Sequence, residues 1–286
     1  MRDLLRRTAL APDGIARVVD GADVPLELDC ARYRSPLIDA SAHEALMRVP
    51  GVARYLLDSV EPALIAAESS AGEADLACFL HGPVRALDLL LRGLFTLRAT
   101  AVRVGDAAVL ICGQAAVGKS TLGAALALRG HAVLGENVVP VTADANGVSV
   151  WPSGGGVELW PPSAAQLRVG DHPSRPVRPV LAKRRYELGS AGSGTDRLAL
   201  GLLVVLSLDR RLDTLAARQV GVGRTAVQAV TAWQWHRRMI DALGLELANF
   251  DWLTNVAGAA PLIRLARPAD GFTAGALAQA VESAVR

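Results

Sequence analysis

Apolar and polar positions along the chain change period several times, and the changes mark its elements. From Pro83, apolar residues at Val84, Leu87, Leu89, Leu90 and Leu94 follow a helical spacing that ends near Leu97. Two strand-like runs follow, Thr100–Val104 and Ala107–Cys112, parted by Gly105-Asp106, a pair suited to a two-residue hairpin turn. Residues 113–121 break the apolar pattern with glycines, and Leu122–Arg129 is rich in strong helix formers and closed by Gly130. The pattern therefore predicts strand, glycine loop and helix in succession.

Further on, Ala132–Leu134 reads as a short strand ending at Gly135-Glu136-Asn137, and a hairpin is predicted from Val138 to Trp151 around Asn146-Gly147. Val157-Glu-Leu-Trp-Pro-Pro reads as a strand stopped by its prolines before Ser163 opens a helix. Arg175–Val180 reads as extended and Leu198–Leu208 as a buried strand. Val227–Leu247 reads as one helix carrying Trp233 and Trp235, and Pro261–Leu265 as the last strand before a final helix. Residues 1–95 carry short apolar runs, Pro and Gly breaks and no repeat. They read as a small α+β region, a candidate for acceptor or partner binding, ahead of a nucleotide-binding domain over 96–286.

Composition narrows the function classes. Thirty basic against 28 acidic residues leave a net charge of +2, which is not the charge of a nucleic-acid-coating protein. Hydrophobic residues reach 51%, yet no run is long enough to span a bilayer. The opening Met1-Arg-Asp-Leu-Leu-Arg-Arg is not followed by an apolar signal core. Cys30, Cys78 and Cys112 lie too far apart for a disulfide framework or a zinc site, and the five histidines show no metal spacing. The expectation is a soluble cytoplasmic chain without nucleic-acid or membrane partners. Of the thirty basic residues only Lys119 and Lys183 are lysine, which marks them as places where a compact ammonium is wanted.

Lys119 belongs to Gly113-x4-Gly118-Lys119-Ser120, the Walker A pattern. Gly113, Gln114, Ala115, Ala116, Val117, Gly118, Lys119, Ser120 and Thr121 are the candidate nucleotide-binding residues. Glycines let backbone N–H groups turn toward phosphate oxygens, the helix N-terminus adds partial positive charge, Lys119 reaches the β and γ phosphates, and Ser120 can hold Mg²⁺. Neither lysine sits in the Asn-Lys-x-Asp element with which GTP-binding switches read guanine, so ATP is favoured by elimination.

The hairpin, the loop with its Leu-Gly-Ala-Ala-Leu-Ala-Leu-Arg-Gly-His continuation and the short strand after it resemble the HPr kinase/phosphorylase family, in particular its stand-alone bacterial branch. The resemblance runs from about Leu97 to the C-terminus. It implies an α/β fold: a P-loop domain with a mixed sheet of the HPr kinase and phosphoenolpyruvate carboxykinase type, preceded by the small α+β region. It also implies phosphoryl transfer from ATP to a hydroxyl on a peptide, protein or small molecule, and raises the prospect of a homo-oligomer. Under it, Glu136 meets the acceptor hydroxyl, Ser120 and Asn137 hold magnesium, and Lys183 with Arg184 faces the developing charge. Where the family has a histidine opening the first hairpin strand this chain has Arg98, and where it has two adjacent aspartates this chain has Glu136-Asn137. Two alternatives stay open: a nucleotide-gated binding protein or pseudokinase, and ATP hydrolysis coupled to assembly.

Overall fold

The computed structural model describes residues 16–188, 196–221 and 223–285. The opening Met1–Arg7 run lies outside them. Two compact units are formed: described residues through Thr96 join Trp235–Phe250, and Leu97–Gln234 joins the chain from Asp251 onward.

In the first unit, β1 (Ala16–Val18), β2 (Tyr33–Arg34), β3 (Ile38–Ala40), β4 (Glu44–Val49), β5 (Ala53–Asp58) and β6 (Ala63–Ala67) make one sheet in the order β1-β6-β5-β4-β3-β2. Along β5, buried and half-buried positions alternate strictly, the signature of a sheet covered on one face. Its buried charge is Asp39, which Arg48 grips with two nitrogens at 2.7 and 3.0 Å. That guanidinium holds the Asp39 carboxyl below the usual carboxylate range. Helix α1 (Glu73–Phe79) leads through a π-helical turn into α2 (Arg85–Leu91). The sequence pattern starts a helix at Pro83. Regular α-helix begins only at Arg85, because Pro83 has no N–H to donate and Gly82 before it leaves helical geometry.

The chain passes from the first unit to the second within β7 (Thr96–Leu97); the second unit then holds β8 (Ala99–Val104), β9 (Ala107–Gly113), α3 (Lys119–Ala127), β10 (Ala132–Glu136), β11 (Val139–Asp144) and β12 (Gly147–Val150). After these come β13 (Val157–Leu159), α4 (Pro161–Leu167), β14 (Ser174–Pro176), β15 (Arg184–Tyr186), β16 (Leu198–Leu208), β17 (Ala216–Val220), α5 (Arg224–Ala232), α6 (Glu246–Ala259), β18 (Leu262–Arg267) and α7 (Ala274–Val285). The main sheet is mixed and centred on β16. One edge of β16 runs parallel to β9; the other is shared by antiparallel β12 near Leu198 and parallel β18 from Leu203 to Leu208. Both faces of this strand are covered, with Leu202, Leu203, Val204 and Leu206 all buried, which is why it reads as an unbroken apolar run. Antiparallel β8 and then β10 extend the sheet beyond β9.

Leu122 and Leu126 of α3 share a core cluster with Leu277 and Val281 of α7 and with Ile111, Val204 and Leu265 of the sheet. Helix α3 lies tight on β8: a Cβ at Gly123 would come within 2.6 Å of Thr100 Cγ2. Glu282 of α7 receives Arg129 Nη2 at 2.6 Å and faces His131 Nε2 at 2.9 Å just past the end of α3. Arg129 holds that carboxyl down to about 2. A smaller sheet, β13-β15-β14, is the third layer that matters for the site.

Three local expectations change. Pro161 sits at the first turn of α4, where a missing N–H costs nothing, so the prolines open the helix and Trp160 is its N-cap. The hairpin of β11 and β12 turns at Ala145-Asn146, one residue early, because Asp144 Oδ1 accepts from Asn146 N at 2.8 Å. The helix drawn over Val227–Leu247 ends at Ala232, and His236 at φ 50° lies in the left-handed region through which no α-helix continues. Trp235 N then donates to Thr96 O, and His236 Nε2 lies 2.8 Å from Pro83 O, so this stretch belongs to the first unit. Strand β17 was not foreseen; its exposed Ala-Ala-Arg-Gln lacks an apolar face. No described helix is long and apolar enough to cross a membrane.

Candidate active site

The parallel strands β9 and β16 set the loop. Gly113 ends β9 opposite Leu206, with φ 151°, and a Cβ there would stand 2.5 Å from Leu206 O and 2.9 Å from Val117 Cγ1. Only glycine lets the chain leave the sheet at this point. Ala116 at φ 61° and Gly118 at φ 109° are also left-handed, a curl that brings successive N–H groups toward one side. Val117, 6% exposed, anchors the curl in the core. The first helical carbonyl is Gly118 O, which accepts from Leu122 N, so the N–H groups before it have no helical acceptor.

Lys119 folds back over this curl. Its ammonium donates to Gly113 O at 2.8 Å and Gln114 O at 2.9 Å. Burial, and next the neighbouring Arg98 charge, lower its pKa. Beside it, the end of β10 presents Glu136, which pairs with Thr100 on β8. Glu136 Oε1 accepts a short hydrogen bond from Ser120 Oγ, and Oε2 accepts from Glu158 N at 2.6 Å. Burial, then the Glu158 carboxylate, push the Glu136 carboxyl up to about 7, outweighing the Ser120 hydroxyl and Lys183.

Glu158 comes from β13, where Val157 and Leu159 point into the core and leave the residue between them on the other face. Its Oε2 accepts from Lys183 Nζ at 2.8 Å, and Arg185 Nη1 lies 3.8 Å from Oε1. Ser120, Glu136, Glu158 and Lys183 thus form a continuous row of polar contacts. Thr121 Oγ1 adds a bond to Ser163 Oγ at 3.2 Å.

The fold brings Lys119, Ser120, Glu136 and Lys183 near one another. Arg184 is a correction. Strand alternation puts it on the face of β15 opposite Lys183, where it bonds Ser174 Oγ at 3.0 Å and Ser174 O at 3.1 Å; Arg185 is the arginine beside Glu158. Asn137 follows Glu136 at φ 71°, with Val138 N donating back to Glu136 O, a γ-turn for which Asn is among the tolerated residues. Glu158 and Arg267 were missed. For Glu158 the one available signal was a charge inside an alternating strand. For Arg267, whose Nε donates to Val117 O at 2.9 Å, it was a basic residue closing the last strand.

These residues suit a magnesium nucleotide. The glycine cradle at Gly113 has no room for a side chain, and the group facing the Ser120 hydroxyl is a carboxylate oxygen of Glu136. Thr100 Oγ1, buried beside Glu136 in the sheet, has no hydrogen-bond partner among the described residues. Magnesium bound with a nucleotide takes one or two side chains and fills its shell from phosphates and water. Among the described residues no cluster of three or more His, Cys, Asp or Glu forms a separate metal centre.

Comparison with protein families finds no match, and neither does comparison with curated proteins. Among solved structures the chain is similar to the Hpr(Ser) kinase/phosphatase from Coxiella burnetii, at 15% identity and a TM-score of 0.32, covering 67% of this chain and 93% of that one.

Proposed function

We propose that the chain is an ATP-dependent phosphotransferase that moves the γ-phosphoryl group of ATP to a hydroxyl on a peptide, protein or small molecule. The observation that supports this most is the bond between the loop hydroxyl of Ser120 and the carboxylate of Glu136, which joins a phosphate cradle to a base. Amides of residues 113–121 and the N-terminus of α3 bind the triphosphate, and Lys119 turns from its two carbonyls to the β and γ oxygens. Ser120 and Asn137 are the residues proposed to hold magnesium, which supplies charge neutralisation at those oxygens. Glu136, at about 7, takes the proton of the acceptor hydroxyl near neutral pH. The hydroxyl oxygen forms the new bond to phosphorus, the β–γ bridging bond breaks, and ADP departs with its electron pair. Lys183, which shares the Glu158 carboxylate with Arg185, neutralises charge on the transferred group in this reading. The proposal includes the cytoplasm as its setting and leaves a homo-oligomer as the assembly to test.

A second reading, nucleotide binding without transfer, is favoured by one observation: the left-handed turn at Asn137 accounts for that residue without magnesium. Incubation with γ-labelled ATP and candidate acceptors separates the two. Labelled acceptor supports the transferase; tight nucleotide binding with no labelled product from any acceptor supports the binding protein.

A further inference from the structure

We infer that Arg267 is a positioning residue for the phosphate loop: it fixes the Val117–Gly118 peptide so that the Gly118 amide is presented to a bound polyphosphate. The inference rests on the reading of residues 113–121 as a phosphate-binding loop.

A peptide unit is planar, so the direction of one carbonyl sets the direction of the next N–H, which points the opposite way. Arg267 Nε donates to Val117 O at 2.9 Å. The amide of Gly118 is thereby turned away from Arg267. The donor cannot swing freely, because Nη1 of the same guanidinium donates to Pro268 O at 3.0 Å. The backbone beneath it is fixed as well: Arg267 pairs with Leu208 on β16, and its carbonyl accepts from Asp209 N at 2.9 Å. The same strand carries Leu206 opposite Gly113. Both the entry of the loop, at Gly113, and its last turn before the helix, at Val117, are therefore referred to β16.

Two features separate this from ordinary surface bracing. The braced carbonyl lies one residue ahead of Gly118 O, the first carbonyl to enter the α3 hydrogen-bond pattern, so the helix itself does not hold it. Gly118, at φ 109°, is also left-handed, and a Cβ on it would stand 3.8 Å from Arg267 Nε. Arginine is suited to the task because its planar fork reaches two carbonyls at once, which a lysine ammonium does less rigidly.

The test is calorimetric titration of the full chain with magnesium tripolyphosphate and with ATP·Mg, for wild type, Arg267→Met, Arg267→Ala and Arg267→Lys. Methionine keeps the apolar stem and removes the donors. The expected result is about tenfold weaker binding of both ligands by Arg267→Met, the size of one lost charge-assisted hydrogen bond. Arg267→Lys should recover part of it, and added methylguanidinium should restore Arg267→Ala, the variant with room for it. A lost brace that is merely structural would lower the melting temperature without rescue of affinity by either route. Wild-type binding with an unaltered Arg267→Met, or a deficit that neither lysine nor methylguanidinium moves, overturns the inference alone. Wild type binding neither ligand overturns the loop reading and this inference with it.

Discussion

The two sides of the site are built by different means. On the loop side, backbone does the work: Gly113, Ala116 and Gly118 take positive-φ conformations, and the parallel strands β9 and β16 hold the entry of the loop in place. On the carboxylate side, Glu136 at the end of β10, Glu158 within β13 and Lys183 just ahead of β15 are joined through their side chains and the Glu158 main-chain N–H. Backbone cradles bind charge that is already present, whereas tuned carboxylates move protons. The difference predicts that the loop governs affinity and the carboxylate row governs turnover.

The sharpest break between the sides is Glu136→Gln. Removing the proposed general base should reduce label transfer by about 10² to 10⁴-fold while nucleotide affinity, measured by calorimetry, changes only a fewfold. The same variant alters the pH profile of stability. Because the folded carboxyl titrates near 7 and an unfolded one near the usual value of 4.5, the folded state holds the extra proton between those pH values. Stability should therefore fall as pH rises through that window in wild type, and that fall should vanish in Glu136→Gln, as read by denaturant melts. Gly113→Ala should act in the opposite sense on the comparison: strain of ~1–3 kcal/mol at the forbidden Cβ weakens nucleotide binding by roughly 10- to 100-fold.

A smaller effect is expected from Glu158→Gln. Losing the neighbouring charge should bring the Glu136 carboxyl below 7, yet keep it above the ordinary carboxylate value because burial, the larger cause, remains. Carbon-13 titration of the side chain reads this, and an unchanged value would mean that the two carboxylates do not communicate. The smallest effect belongs to Arg184→Ala. With its guanidinium on Ser174 and its strand face turned from Lys183, both affinity and transfer should stay within about twofold of wild type. A large loss would show that β15 presents its other face to the reaction.

The same contrast explains what could be read in the sequence. Residues 107–130 form strand, loop and helix because each step is local: a turn at Gly105, glycines where φ is positive, and helix formers after Lys119. The buried strand Leu198–Leu208 was legible for a related reason, since cover on both faces makes its whole length apolar. Glu158 and Arg267 were not legible, because what gives each its place is a partner far along the chain, Lys183 for one and Val117 for the other. Arg184 shows the converse error: neighbours in sequence on a strand point to opposite faces. His236 shows another, since a helical pattern running past it does not reveal a left-handed residue in its path.

The central claim is that residues 113–121 grip a nucleoside triphosphate through main-chain amides and one ammonium group. Calorimetric titration of wild type and Lys119→Ala with ATP·Mg tests it most directly. The account predicts saturable binding by wild type and a loss of roughly 10- to 100-fold in affinity on removing the ammonium. Equal heats from the two proteins, or no binding by wild type, would contradict it.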